Sequence, residues 1–514
     1  MRILGCALLV ATVLLLAGCG AGDPSTPSDV SPASAKAYLE FALDTSGRPL
    51  SELRGLVERA PGGPALLAEQ ELGRSFPILG RQTSYERVQP WAGERAGIFL
   101  TTLGDEDEDE DEDEVGTGAF AVEVEDRDAA RDFVQRLAEG TEAREAAGTE
   151  YRVTPDRDAA ALAGDLLVFG DEDAVRDTLE VASGDAESLA DDEDYRTAVT
   201  DADDGLALLY VPPAQVLLAG ADAETFNGLP PEQFAALLTA LGVDTREPVV
   251  ASLRTSPDAL ILDQSFVASA DVAVDTRGGE PPLEGVPADG AVLAVAPEFG
   301  AAVGRLLPAF LRIGLASEGR LDETSALIDQ LEQQGLSLED PPIAGAAAFL
   351  DLADGAPQAA LVSEVTDDRA ATVLAQVISG GIASQTGLTP RTLDAELPGQ
   401  PEGVVFDGGG LPAPITVALT SQRFVVAFGS DALRTALRDG DPTATRERLE
   451  EARRALGGDF TPLIALDAEP VAALLGPGAI ADPSARELLA ATRLNVGVRR
   501  TGKRIVVRTV LSLR

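Results

Sequence analysis

The sequence predicts an α+β fold arranged as two related lobes. Three observations carry that expectation: apolar runs that alternate and pair as hairpins, amphipathic segments at helical spacing between them, and four segments that recur in the same order in the second half. Hairpins outnumber β-α-β units, so each lobe is expected to be a mainly antiparallel sheet with helices packed on one face.

The elements follow in order. Ala37-Tyr38-Leu39-Glu40 reads as the opening strand, and residues 96–103 and 118–125 as a hairpin joined by an acidic loop. Residues 126–140 place Ala129, Ala130, Phe133, Val134 and Leu137 on one helical face. A short strand at 166–169 enters a helix at 171–181, whose acidic first turn suits the positive end of the helix dipole. Residues 206–211 form another strand, stopped by Pro212-Pro213. A hairpin of 249–254 and 259–267 turns at Thr255-Ser256-Pro257-Asp258 and closes the half; its counterpart is 495–500 and 505–513.

Four matches predict the duplication. Pro32-Ala33 before residues 37–40 matches Pro287-Ala288 before 292–295. Glu123-Val124 with Ala129-Ala130, Phe133, Gln135 and Leu137 matches Glu364-Val365 with Ala370-Ala371, Leu374, Gln376 and Ile378. Phe169-Gly170 with residues 173–176 and Leu179 matches Phe428-Gly429 with 431–434 and Leu437. Residues 208–211 with Val216 match 463–466 with Val471. Chance similarity between Ala-rich segments is the competing explanation, and the preserved order favours duplication. The expected layout is a signal peptide at 1–18, a flexible tether at 19–32, a first lobe at 33–270, a connection at 271–286 and a second lobe at 287–514.

The N-terminus predicts location. Arg2 precedes an apolar run from Ile3 to Leu16 that is short for a membrane span, and Leu16-Ala17-Gly18-Cys19 closes it. Those four residues resemble a bacterial lipobox, which implies cleavage before Cys19 and acylation of its thiol with diacylglycerol, palmitate included. More than one acyl chain holds a protein stably on a bilayer. An uncleaved anchor or an ordinary signal peptide is the alternative. Of the two cysteines, cleavage removes Cys6 and lipidation consumes Cys19, so the mature chain has neither disulfide nor free thiol.

Composition narrows the chemistry. The formal charge is −46, from 86 acidic and 40 basic residues, and only Lys36 and Lys503 are lysine. Such a surface repels nucleic acid and anionic headgroups, so no nucleic-acid partner is expected and membrane contact falls to the lipid. With no histidine in the chain, Ser-His-Asp and Cys-His sites and histidine-ligated zinc are excluded. No cofactor is expected.

Residues 105–114 alternate Asp and Glu without a break. Asp105, Asp107, Asp109, Asp111 and Asp113 are a weak candidate for cation binding, yet the run lacks the glycine and the neutral carbonyl ligands of a calcium loop. A solvated, self-repelling hairpin tip is the reading favoured here. Asp201-Ala202-Asp203-Asp204-Gly205 lacks the Glu that completes a calcium loop. Gly408-Gly409-Gly410 lacks the Lys-Ser/Thr end of a phosphate loop and reads as a turn. Trp91 reads as a core anchor.

The Pro32-Ala33 opening, Pro90-Trp91-Ala92-Gly93-Glu94-Arg95 before a hairpin, the Glu123-Val124 strand with its helix, and the strand at 166–170 entering a helix together resemble the DUF3352 family. The resemblance extends over most of residues 30–514. It implies an exported or membrane-attached bacterial protein, often reached through an N-terminal membrane helix in relatives, and it supplies neither activity nor catalytic residues. The expected role is non-catalytic binding or structure at the outer face of the membrane, with an envelope component as partner. The first alternative is a carrier of a hydrophobic or lipid ligand, lined by helices such as residues 301–315. The second is a carboxylate-based hydrolase.

Overall fold

The computed structural model describes residues 25–61 except 45, 75–102 except 80, 117–213 except 201, 203 and 204, 238–269 except 240 and 241, 281–317, 324–471 except 354, 355, 394, 395 and 409, and 483–513. The chain divides into two compact units. The first comprises Met1–Ser51 with Gln70–Pro212, and the second Glu52–Glu69 with Pro213–Arg514.

In the first unit the strands are β1 (Ala37–Ala42), β2 (Ser75–Ile78), β3 (Arg81–Ser84), β4 (Ala92–Leu100), β5 (Gly118–Val124), β6 (Glu142–Ala146), β7 (Thr149–Val153), β8 (Asp158–Ala163), β9 (Leu166–Asp171) and β10 (Ala207–Val211). Strands β2 and β3 pair as a separate hairpin. The others run side by side as β6-β7-β8-β9-β5-β4-β1-β10, antiparallel throughout. The helices α1 (Arg127–Leu137), α2 (Glu172–Ser183) and α3 (Glu193–Val199) belong here, along with the single turns Pro27–Val30 and Tyr85–Val88. The expected strands and helices are present, with α1 closing at Leu137, ahead of the turn into β6.

Helices lie on both faces of this sheet, which corrects the expectation of one. On one face Ala130, Phe133 and Leu137 of α1 pack with Trp91, Ala96, Val122, Leu167 and Phe169. Leu166, Leu167, Val168 and Phe169 are all buried, so the opposite face is covered too. There α2 buries Ala174, Val175 and Leu179, and the helical turn Pro27–Val30 lies over Gly97. A Cβ at Gly97 would sit 2.6 Å from Cβ of Pro27, so a larger residue would push that turn away. The physical sign was in the sequence: an unbroken apolar strand needs cover on two sides.

The second unit contains β11 (Val249–Ser256), β12 (Ala259–Val267), β13 (Val292–Ala296), β14 (Ile343–Ala353), β15 (Ala356–Val365), β16 (Arg391–Thr392), β17 (Glu402–Phe406), β18 (Ile415–Leu419), β19 (Arg423–Phe428), β20 (Thr461–Asp467), β21 (Thr492–Thr501) and β22 (Arg504–Leu513). Their order is β16-β17-β18-β19-β15-β14-β13-β20-β21-β22-β12-β11, again antiparallel. Helices α4 (Phe299–Ser317), α5 (Thr324–Gln333) and α6 (Asp368–Thr386) pack with Val417, Phe424 and Val426 on one face. Helices α7 (Ser430–Ala436) and α8 (Thr443–Ala455) pack with Ala418, Val425 and Ala427 on the other. Phe299, Val303, Leu307 and Leu311 of α4 lie against the core cluster.

The unit boundary differs from the expected lobe boundary near 270. The hairpin β11–β12, expected to close the first lobe, is laid against β22 from Ala259–Ser512 to Val267–Arg504. At the middle of that ladder Asp263 faces Arg508. The guanidinium Nε and Nη2 each donate to the carboxylate at 2.7 Å, and both side chains are largely withdrawn from water. Arg508 also lies 4.2 Å over the ring of Phe460 and donates to Leu456 O. A bidentate, partly buried pair is both strong and orienting. Removing either partner strands the other charge. Asp263→Ala and Arg508→Ala should each lower the unfolding free energy by about 2–3 kcal/mol. The double variant should cost less than the sum of the two, a non-additivity that urea denaturation of the three proteins checks.

Candidate functional site

The predicted lipidation residue Cys19 and its lipobox neighbours Leu16, Ala17 and Gly18 lie outside the described residues, as does the acidic run with Asp105, Asp107, Asp109, Asp111 and Asp113. Asp201, Asp203 and Asp204 lie outside them too. Among the described residues no helix is long and apolar enough to cross a membrane, and no group of three or more carboxylates or other ligand residues is placed to hold a metal ion.

A depression of the first unit lies beside the Pro90–Arg95 segment and includes Ala92, Gly93 and Glu94 in its lining. It has a volume of about 640 Å³ and is rimmed by Asp44, Tyr85, Glu94, Glu123, Glu125 and Asp165. Its geometry follows from a β-bulge. Ala92 pairs with Val124 and Ala96 with Val122, so residues 93–95 on β4 stand opposite the single residue Glu123 on β5. The bulge turns the N–H groups of Glu94 and Arg95 away from the ladder, and the Glu123 carboxylate accepts both, at 3.1 and 2.9 Å. Gly93 makes this approach feasible, since a Cβ there would lie 2.8 Å from Glu123 Cβ. Trp91 anchors the segment: it is buried, its ring lies 5.2 Å from Phe133, and its indole N–H donates to Arg87 O. Trp91 O accepts the N–H groups of Glu125 and Asp126, which lead into α1. Asp126 caps that helix by accepting the Ala129 N–H at 2.9 Å.

Arg95 carries the bulge into a polar network on β1. Its guanidinium pairs with Glu40, whose other carboxylate oxygen accepts the Tyr38 hydroxyl at 2.6 Å. Burial, reinforced by the Glu40 charge, pushes the Tyr38 phenol well above its usual range. Tyr195 of α3 stands edge-on to both Tyr38 and Tyr210, at 5.9 and 5.1 Å. The three rings fill the space between α3 and the sheet.

Two glutamates show what these carboxylates do. Glu123 is pushed above the ordinary carboxylate range because burial outweighs the two N–H donors and the charge of Arg95. Glu172 is buried at the start of α2; burial alone would raise it, but hydrogen bonds from Arg144 and Tyr151, with Arg157 nearby, hold it below that range. Both carboxylates are held by structural donors, backbone N–H groups for Glu123 and the Arg144 and Tyr151 side chains for Glu172. The bulge and the Glu172 network escaped sequence reasoning, although Pro90–Arg95 and Glu123 marked the bulge's place.

The model of the family described as "Protein of unknown function (DUF3352)" matches residues 5–264. No characterised protein matches the chain in sequence. Solved structures of TP0453 in crystal forms III, I and IV are similar at 8–9% identity, over 48% of this chain and 80–82% of theirs, with TM-scores of 0.26–0.28. Such scores do not establish a shared fold.

Opposite pKa shifts predict opposite responses to the same change. A lowered pKa makes Glu172 stabilising above the unfolded carboxylate range, a contribution lost as pH falls through its folded pKa. Glu172→Gln should therefore cost about 1–2 kcal/mol at neutral pH, and the difference should vanish in acid. A raised pKa means that charged Glu123 opposes folding once pH rises through its folded value. Glu123→Gln keeps the acceptor oxygen and should stabilise at neutral pH, with no gain in acid. Thermal melts between pH 3 and pH 8 check both signs.

Proposed function

This chain belongs to the DUF3352 family, and on that premise we propose that it is a lipid-anchored, non-catalytic envelope protein whose body arose by internal duplication. The observation that carries the anchor is Leu16-Ala17-Gly18-Cys19 at the end of the apolar N-terminal run, followed by a Gly/Ser/Pro/Asp tether. Cleavage would leave Cys19 as the first residue, acylated, at the outer face of the membrane. The body carries a formal charge of −47 once the segment with Arg2 is removed, so anionic lipid repels it and attachment rests on the acyl chains.

The duplication is supported by order and by detail. The first unit's β6-β7-β8-β9-β5-β4-β1-β10 has the same sequence of connections as β16-β17-β18-β19-β15-β14-β13-β20 in the second. Helix α1 matches α6, α2 matches α7, and α3 matches α8. Pro342 O accepts the N–H groups of Thr366 and Asp367 as Trp91 O accepts those of Glu125 and Asp126. Asp367 caps α6 through the Ala370 N–H, at the same 2.9 Å as Asp126 caps α1. The family match ends at residue 264, inside β12, where the first repeat would close.

A non-catalytic role is favoured by the occupation of the carboxylates. Glu40, Glu123 and Glu172, the most withdrawn glutamates of the first unit, are each held by structural donors. Binding of another envelope component, or a structural role beside it, uses the folded surface and needs no reactive group.

Cell fractionation tests the anchor. Cys19→Ser should abolish incorporation of labelled palmitate and move the protein from the membrane to the soluble fraction. A variant that stays on the membrane at the wild-type level would sink the reading.

A further inference from the structure

The geometry points to a small-molecule site in the second unit: a crevice beneath α8 that takes one hydroxyl-bearing edge of a neutral polyol or sugar, the rest of the molecule lying in the depression beside it. This inference is independent of the lipid anchor, since membrane attachment and ligand binding are separately measurable.

The cavity exists because matching rows of the two units are filled differently. In the first unit the ladder aligns Phe99, Tyr38 and Tyr210 across β4, β1 and β10. In the second it aligns Phe349, Leu293 and Ala465 across β14, β13 and β20, and continues to Asn495 on β21. Ala465 stands where the first unit has a tyrosine, and α8 presents Ala452 and Ala455 where α3 presents Tyr195. The result is a partly enclosed crevice of about 80 Å³. At about 30 Å³ per water, that holds roughly two or three waters, room for the hydroxyl-bearing edge of a polyol or sugar but not for a whole ring.

Asn495 makes the space a site. It is 2% exposed and lines the cavity, yet its Oδ1 accepts no hydrogen bond among the described residues. A buried amide acceptor left without a donor is unfavourable. The ligand that relieves it must bring an O–H or N–H. The remaining polar lining asks for acceptors as well as donors. Arg493 pairs with Asp467 at 2.9 Å and approaches Glu451 at 3.6 Å. Arg448 donates to the carbonyls of Ala288, Gly290 and Ala465 and lies 3.6 Å from Asp467. Two cations facing two carboxylates leave no net charge to attract an ion. Hydroxyl groups, each both donor and acceptor, match this lining. Arg493 and Ser512 also line an adjoining depression of about 480 Å³, which supplies a place for the rest of a larger ligand.

Saturation-transfer NMR on the full chain in detergent tests this with glucose, mannose, N-acetylglucosamine, myo-inositol and glycerol at millimolar concentration. At least one should receive saturation. Asn495→Leu, which removes the acceptor, and Ala465→Tyr, which restores the first unit's tyrosine, should each reduce the signal at least fivefold. Should either core change unfold the protein by circular dichroism, Ser512→Ala at the mouth should still reduce it at least twofold. A response to glycerol as strong as to the sugars would assign the site to small polyols; a response to sugars alone would assign it to glycan ends. No saturation of any of the five, or signals unchanged in every folded variant, overturns the proposal.

Discussion

The β12–β22 ladder is the contact on which the second unit's architecture turns. A hairpin ends in an open edge, and an open edge exposes a row of unpaired N–H and C=O groups. Here the outer strands of the hairpins β11–β12 and β21–β22 satisfy one another. Aligned on their closing pairs, Ser256–Ala259 and Thr501–Arg504, the two hairpins place Asp263 and Arg508 at equivalent positions. In the ladder those two residues face each other. That is the relation expected at a local two-fold axis between identical hairpins, where one residue would meet its own copy. Like charges at such a point repel, whereas Asp against Arg attracts. The proposed duplication therefore gained something that two identical chains could not have: a charge-complementary pair on the axis, fixing the register of the strands on either side.

Hairpin strands and capped helices were legible because their signals are local. Residues 118–125, 249–267 and 495–513 alternate, and Asp126 and Asp367 sit just before amphipathic runs. The strands β6 and β7 were not legible, since Glu142–Ala146 reads EAREA and is exposed along most of its length. It is held as a strand by its ladder to β7, which is tertiary information. The helices on both faces were legible in principle from Leu166–Phe169, although antiparallel hairpins usually have one wet face. The destination of the β11–β12 hairpin could not be read at all. Nothing in its alternation distinguishes β22 from any other edge.

The candidate site was legible only as an address. Pro90–Arg95 attracted notice as a pattern, and its physical content is a bulge that requires Gly93 beside Glu123 and a buried Trp91 behind it. A pattern of this kind marks a family without marking a reaction, because what it preserves is a backbone irregularity. The same reasoning covers the acidic composition. The withdrawn carboxylates of the first unit take up arginines, as in Arg95–Glu40 and Arg144–Glu172. The acidic excess is left for the surface.

The two units fill one corresponding layer differently, and the proposed duplication gives that difference room. A fold needs only one well-filled layer against each helix, and the first unit meets that need with Tyr38, Tyr195 and Tyr210 in edge-to-face contact. Once a second copy exists, its equivalent layer can lose side-chain volume, because the common strand order does not depend on any single ring. Leu293 and Ala465 in place of two tyrosines remove that volume, and Asn495 beside them introduces an acceptor left without a donor among the described residues. A cavity lined only by alanine and leucine would be a packing defect and would stay dry. One with a buried amide and paired charges around it tolerates an occupant, and its polarity selects what that occupant can be.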